Sequence, residues 1–254
     1  MKKKVLLLGS TGRVGQGIIE EYLEKYEKFY DLILGYHKSK PKYNLESRKV
    51  DLSDINNLKK AMEGIKVVVN LAAESNPEAD FSEIVKPNLI GAYNVFQASK
   101  KAKVERVVFA SSVHAVRGYS FGREIGHDDA PKPSGFYGAS KVFGEALCYV
   151  YSQNSNLSCL AIRIGAYVSN NQKETVCFTR NNFDYVITQK DMAQLIHKCI
   201  LAPKKVKYGI LAGISNNKKK YLDLKFTRKL VGYNPEDDAF RICREVKRKR
   251  EKKE

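Results

Sequence analysis

Three side chains of this sequence could together move a proton and steady a changing charge: Ser112, Tyr137 and Lys141. Tyr137 and Lys141 belong to Tyr137-Gly138-Ala139-Ser140-Lys141 and share a face if the segment is helical. A free phenol titrates near about 10 and is a poor base at neutral pH. An adjacent ammonium favours the phenolate and is expected to bring the phenol toward the working range. Ser112 follows an apolar run and is expected to hydrogen-bond a substrate oxygen whose charge changes as hydride moves. The same lysine is expected to orient a nicotinamide ribose.

Such chemistry needs a bound hydride carrier. Gly9-Ser10-Thr11-Gly12-Arg13-Val14-Gly15 follows the apolar run Val5–Leu8. A strand ending in glycines and opening a helix aims backbone N–H groups at a pyrophosphate. Gly9 suits the tight turn, Gly12 the approach of the cofactor, and Gly15 the packing of helix on strand. At the end of the second strand stands Tyr36-His37-Lys38-Ser39-Lys40, with no carboxylate to bind the adenosine ribose of NAD. Lys38, Lys40 and Arg13 could meet a 2′-phosphate, so the expectation leans to NADP, with NAD the alternative. Asp51 and Leu52 are placed to contact adenine. Cofactor contacts are thus expected from Gly9, Thr11, Gly12, Arg13, Val14, Gly15, His37, Lys38, Asp51, Leu52, Leu71, Ala72, Ala73 and Ile164, together with Tyr137 and Lys141.

The elements that must carry these groups alternate. Buried strands are expected at Lys4–Leu8, Asp31–Tyr36, a short run closed by Asp51, Val67–Ala72, Glu105–Ser111, Ser158–Ile164 and Gly209–Ala212. Helices are expected at Gly12–Tyr26, Ser53–Glu63 with Ser53 as cap, Asn88–Lys101 entered at Pro87, Gly135–Ser152, Asp191–Leu201, Tyr221–Val231 and Asp237–Lys249. The alternation argues an α/β fold with a doubly wound parallel sheet. Residues 1–164 would form the dinucleotide-binding domain and 165–246 a small substrate-binding portion returning partly to the sheet. Residues 247–254 would be a frayed basic tail. The poorly periodic stretch 164–185 reads as a substrate lid.

Composition bounds the rest. The chain has 254 residues, 43% of them hydrophobic, enough for a sizeable core. Its apolar runs are too short to cross a membrane, and Val5–Leu8 is too short for a signal peptide; a cytoplasmic protein is expected. Five cysteines (Cys148, Cys159, Cys177, Cys199, Cys243) without close spacing predict no disulfide framework. The four histidines have no metal-site spacing, so no metal is expected. Net charge is +17, of which Arg244–Glu254 carries +4. The lysines are scattered and no nucleic-acid-binding signature accompanies them. Solvated faces, or an anionic substrate or cofactor, account for the charge without a specific nucleic acid.

By these motifs the chain resembles the extended branch of the short-chain dehydrogenase/reductase superfamily, which includes sugar epimerases and dehydratases. There Asn88 corresponds to a helix asparagine that helps hold the active-site helix and a water relay. Within the branch, Phe109–His114, Gly135–Glu145, Arg163-Ile164-Gly165 and Gly232-Tyr233-Asn234-Pro235 look like uronate dehydrogenases. Those enzymes oxidise the C1 hydroxyl of a cyclic sugar acid with NAD. The resemblance implies that Ser75, Ser112 and His114 line a sugar pocket, with Tyr137 as base. Val113 stands for the family's asparagine, Ala166 for its pocket serine, and Lys173 for the arginine that grips the carboxylate. The expected partner is a small sugar-type molecule, and a homodimer through a bundle including helix 135–152 is implied. Two other functions remain open: a nucleotide-sugar epimerase or dehydratase with retained cofactor, and a non-catalytic cofactor sensor.

Overall fold

A computed structural model describes residues 2–179 and 182–251. Its centre is a seven-stranded, wholly parallel sheet. The strands are β1 (Lys3–Leu8), β2 (Tyr30–Tyr36), β3 (Ser47–Lys49), β4 (Val67–Asn70), β5 (Arg106–Ser112), β6 (Ser158–Ile164) and, after a smaller pair, β9 (Tyr208–Gly213). Their spatial order is β3-β2-β1-β4-β5-β6-β9. The order reverses between β1 and β4, the switch point where such sheets open a crevice at their carboxyl ends.

The strands read as unbroken apolar runs because both faces are covered. In β1, Val5 and Leu7 enter one core while Leu6 and Leu8 enter the other. In β6, Leu160 and Ile162 face the first core, Cys159 and Ala161 the second. Helices α1 (Arg13–Glu21) and α7 (Gln189–Leu201) pack together over the first face. Over the second lie α2 (Ile55–Ala61), α4 (Gly91–Lys101) and α5 (Gly135–Gln153).

Four expectations are corrected. The helix expected from Asn88 begins earlier, as α3 (Phe81–Ile84), opened by the reciprocal capping of Asp80 and Glu83. Pro87 does not start a helix; it lies inside the π-helical turn Val85–Ile90, whose wider hydrogen-bonding pattern tolerates a residue without an N–H. The cap of α2 is Asp54, whose carboxylate accepts from the amides of Asn56 and Asn57, while Ser53 donates to Asp51. The chain from Tyr221 is not helical until α8 (Lys225–Val231): Tyr221 is buried and its hydroxyl donates to the carbonyls of Val116 and Tyr119.

The stretch expected as a lid has structure of its own. Strand β7 (Ala166–Val168) pairs in parallel with β8 (Val186–Thr188), and α6 (Lys173–Thr179) lies between them in sequence. Against the expectation from cysteine spacing, Cys177 of α6 is joined by a disulfide to Cys243 of α9 (Ala239–Glu251), 66 residues away. Packing of α6 on α9 brings the two sulfurs together, which linear spacing does not reveal. Cys148, Cys159 and Cys199 are free and buried. Helix α9 also runs on through Lys247 to Glu251, where a frayed tail was expected; residues 252–254 lie outside the described residues.

A buried ion pair fixes α5 against the sheet. The Arg163 guanidinium on β6 donates twice to the Glu145 carboxylate on α5, from Nε to Oε1 and from Nη2 to Oε2, each at 2.9 Å. Ser111 of β5 donates to the same carboxylate at 2.6 Å. Both charged side chains are only 3% exposed, so neither could remain there unpaired cheaply.

Candidate active site

The sheet's switch point opens into a cleft of about 1020 Å³, at the upper end of small-molecule sites. The glycine loop forms its floor. Gly9 has φ +79°, and a Cβ there would come 2.8 Å from the Ala72 amide, so the turn between β1 and α1 and the end of β4 leave no room for a side chain. A Cβ on Gly15 would strike the Gly9 carbonyl, which explains why α1 can sit so close to the turn. Gly12 caps α1 with no side-chain hydrogen bond, so the amides of the first helical turn point at the cleft without a side-chain acceptor. Ser10, fully buried, donates to the Gly35 carbonyl and ties the loop to β2. This cradle fits a pyrophosphate, and a dinucleotide fits the cleft.

Of the residues expected to touch the cofactor, all but Lys40 line this one cleft. Gly9, Thr11, Gly12, Arg13, Val14 and Gly15 are there, with His37 and Lys38 at the end of β2 and Asp51 and Leu52 beyond β3. Leu71, Ala72 and Ala73 after β4, Ile164 closing β6, Tyr137 and Lys141 complete the wall. Lys40 is not part of it. The Asp51 carboxyl is held below its ordinary range, first by hydrogen bonds from Ser53 and then by the charges of His37 and Lys86. Lys86 therefore belongs to the adenosine end.

At the other end Ser112, Tyr137 and Lys141 converge. Ser112 is the last residue of β5; Tyr137 and Lys141 sit one turn apart on α5. The Lys141 Nζ lies 5.4 Å from the Tyr137 ring centroid and 5.5 Å from that of Phe109. Burial lowers Lys141 to about 8. Burial also raises Tyr137, while its hydrogen bond with Ser112 pulls the other way and the Glu74 carboxylate adds to the rise. Desolvation thus dominates the phenol in the protein alone, and the downward influence on it comes from Ser112 and not from the expected ammonium.

Asn88 does not line the cleft; it braces it. From the π-helical turn its Nδ2 donates to Ser140 Oγ at 3.1 Å and to the Glu74 carbonyl, while its Oδ1 accepts from the Glu74 amide. Ser140 in turn donates to the Tyr137 carbonyl at 2.7 Å. The loop after β4 and the start of α5 are thereby locked together. Glu74 and Ser140, which the motif reading passed over, are partners in this brace; only their position next to known motif residues could have flagged them.

Of the residues expected at the sugar, Ser75, Val113, His114 and Ala166 line the cleft and Lys173 does not. Lys173 opens α6, outside the wall. His114 Nδ1 lies 3.0 Å from Ser134 Oγ, and its ring meets that of Tyr137 edge to face at 5.6 Å. Burial, then the charge of Arg117, lower its pKa, so it stands neutral at physiological pH. Tyr167 and Tyr185, which sequence patterning did not single out, line the cleft as well, Tyr167 with its ring beneath the Arg13 guanidinium.

Lys141 is 4% exposed, and its ammonium is carried by the fold at a cost. Its folded value of about 8 lies below the ordinary 10.5. Between those values the unfolded chain binds the extra proton, so stability rises with pH across that window. Replacing the ammonium removes the penalty: Lys141→Met should gain on the order of 1–3 kcal/mol at pH 7. Thermal unfolding at pH 7 and above pH 10 checks this. A variant no more stable than the parent at pH 7 contradicts it.

A model of the NAD dependent epimerase/dehydratase family matches residues 5–199. An NAD-dependent glucose-6-phosphate dehydrogenase of Haloferax volcanii is 29% identical over 94% of this chain and 95% of its own length. An L-arabinose 1-dehydrogenase (NAD(P)(+)) of the same organism is 28% identical, over 93% of this chain and 97% of its own. Among solved structures, a variant of the uronate dehydrogenase of Agrobacterium tumefaciens complexed with NAD superposes with a TM-score of 0.82 at 26% identity. That match covers 98% of this chain and 90% of the other. No helix among the described residues is long and apolar enough to cross a membrane. The glycine cradle at the switch point, the Tyr137–Lys141 helix and the extent of the family match lead to one assignment: the chain belongs to the NAD-dependent epimerase/dehydratase family, near the uronate dehydrogenases.

Proposed function

We propose that this protein is a nicotinamide-dependent sugar dehydrogenase that takes hydride from a hydroxyl-bearing carbon of a sugar or sugar acid. The observation that carries the reading is the convergence of Ser112, Tyr137 and Lys141 on the wall of the cleft that also holds the glycine cradle. The dehydrogenase relatives support the substrate class. When bound, an oxidised nicotinamide nucleotide supplies the hydride acceptor and a positive charge near the phenol. Tyr137 accepts the hydroxyl proton, Ser112 donates to the oxygen as its charge changes, and Lys141 steadies the phenolate and orients the ribose. Asn88 keeps Tyr137 and Lys141 at their distance from Ser112 through Ser140. Ser75, His114, Val113 and Ala166 form the sugar-facing wall.

Tyr137→Phe keeps the ring and loses the proton acceptor. Its turnover should fall by about 10²–10⁴-fold, with nucleotide affinity retained in titration calorimetry. Near-normal turnover removes Tyr137 as the base. Net accumulation of reduced nucleotide with a free sugar separates this reading from an epimerase that returns its cofactor to the starting state.

For the nucleotide we favour NADP over NAD. His37, Lys38 and Arg13 line the adenosine end, and no carboxylate stands at the end of β2 to repel a 2′-phosphate. The wild-type ratio of kcat/KM for NADP over NAD should exceed one, and Lys38→Ala should lower it about tenfold. A wild-type preference for NAD overturns the choice.

A homodimer through α5 is supported by an apolar stripe on its outer face. Phe136, Phe143 and Val150 are 63%, 38% and 48% exposed, and Tyr93 of neighbouring α4 is 43% exposed. Light scattering should give a dimer mass that Phe143→Glu halves. A monomeric parent protein at micromolar concentration excludes the interface.

A further inference from the structure

Helix α6 is held to the molecule by little besides one covalent bond. Of its seven residues only Cys177 is buried. The Cys177 sulfur is bonded to Cys243, which together with Ala239 makes up the buried face of α9. Apolar support is small: Val168, Val186 and Ala239, with Val176 and Phe183 against them, form a cluster apart from the two cores of the main sheet. Beyond Cys243 no residue of α9 through Glu251 is buried. A pair of helices with so few buried contacts opens at low cost once the bond between them is cut.

The same segment walls the nucleotide cleft. Strand β7 leads into α6 and carries Ala166 and Tyr167, both cleft residues. Tyr185, also in the wall, accepts the Ala166 amide at its carbonyl. The Tyr167 ring centroid lies 5.7 Å from the guanidinium carbon of Arg13 in the glycine cradle. Its hydroxyl donates to Gln189, which in turn donates to Glu20 of α1. Gln172, the residue before α6, accepts from Arg13 Nη1 at 3.5 Å. The position of α6 is therefore felt at Arg13, on the helix that opens the cradle.

The other cysteines do not compete for this bond. Burial pushes the Cys159 and Cys199 thiols up to about 12 and the Cys148 thiol well above its ordinary range. Since the thiolate is the attacking species in exchange, those three stay inert.

We infer that the Cys177–Cys243 disulfide is a redox strap on the nucleotide site. Intact, it holds α6 on α9 and keeps the cleft wall in place; reduced, it frees α6 and weakens nucleotide binding. The reaction is exchange with a dithiol. One thiolate of the dithiol attacks a protein sulfur and forms a mixed disulfide, which the second thiol resolves. Two electrons and two protons pass to the protein, which ends with two thiols, while the dithiol ends as a disulfide. Both protein sulfurs belong to buried residues, so α6 or α9 must lift before exchange occurs. Nucleotide and disulfide then affect each other reciprocally. The strap rests on the nucleotide-dependent reading and is independent of which sugar is oxidised.

Thiol titration of unfolded protein purified without reductant should find three thiols per chain, and five after treatment with a dithiol. Titration calorimetry with NADP and with NAD should give a Kd about 5- to 50-fold weaker for the reduced protein. Cys177→Ser combined with Cys243→Ser should bind like reduced wild type and ignore the dithiol. Saturating nucleotide should raise the ratio of reduced to oxidised dithiol needed for half-reduction by the same factor. Turnover at saturating nucleotide should change less than about twofold, because Ser112, Tyr137 and Lys141 stand on β5 and α5. Five thiols in the untreated protein, or equal nucleotide affinity in both redox states, overturns the strap and leaves the dehydrogenase reading intact. Loss of circular dichroism on reduction makes the bond a plain staple and overturns the strap as well. If nucleotide affinity follows the thiol state while no sugar is oxidised, the strap stands and the dehydrogenase reading falls. If neither nucleotide binds in either state, both fall.

Discussion

The buried pair of Glu145 and Arg163 is the contact on which the geometry of the site depends. It joins the middle of α5 to β6, and through Ser111 it reaches β5 one residue before Ser112. Tyr137 and Lys141 are carried on that helix, Ser112 on that strand, and Ile164 follows Arg163 directly. Any slide of α5 along the sheet would misalign all of them, and breaking such a pair leaves a bare charge in the core at about 3–5 kcal/mol. The second tie lies at the other end of the catalytic turn, where Asn88 links Ser140 to the loop at Glu74. A helix pinned at both ends of its functional stretch keeps its side chains in place without help from the substrate.

The π-helical turn around Pro87 belongs to the same design. Insertion of a wider turn between α3 and α4 re-aims Asn88 inward, where it can satisfy Glu74 and Ser140 at once. A regular helix could not hold Pro87 at that position without losing a hydrogen bond and meeting the carbonyl one turn back. The irregularity and the brace therefore have one cause.

The electrostatics of the cleft is built on unpaired cations. Lys141 is buried with desolvation as the dominant influence on it. At the nucleotide end His37, Lys38 and Lys86 surround a single carboxylate, Asp51, which is occupied by Ser53. A crevice with low-dielectric walls and an excess of one sign concentrates the opposite sign. The net charge of +17 has at least this local counterpart. It also makes the site a place where stability is given up, since each desolvated cation without a partner weakens the folded state until an anion arrives.

Much of this was written in local sequence. The largely apolar runs at Val5–Leu8 and Ser158–Ile164 read as strands covered on both faces, and Gly9, Gly12 and Gly15 mark the turn because a side chain would collide there. The four-residue spacing of Tyr137 and Lys141 sets their common face on any helix. What the chain order could not state was distance between remote segments. The Cys177–Cys243 bond, the hold of Asn88 on Ser140, the departure of Lys173 from the cleft and the seating of Arg117 on Tyr185 and Tyr221 all arise where elements far apart in sequence pack together. The Tyr137 phenol follows the same rule: its neighbour Lys141 was legible, but the burial that dominates the phenol is a property of the whole fold. Sequence determined which groups were available and which of them share a face, since periodicity and sterics act over a few residues. Tertiary structure decided which charges lost their water and which partners they met, because desolvation and packing act through space.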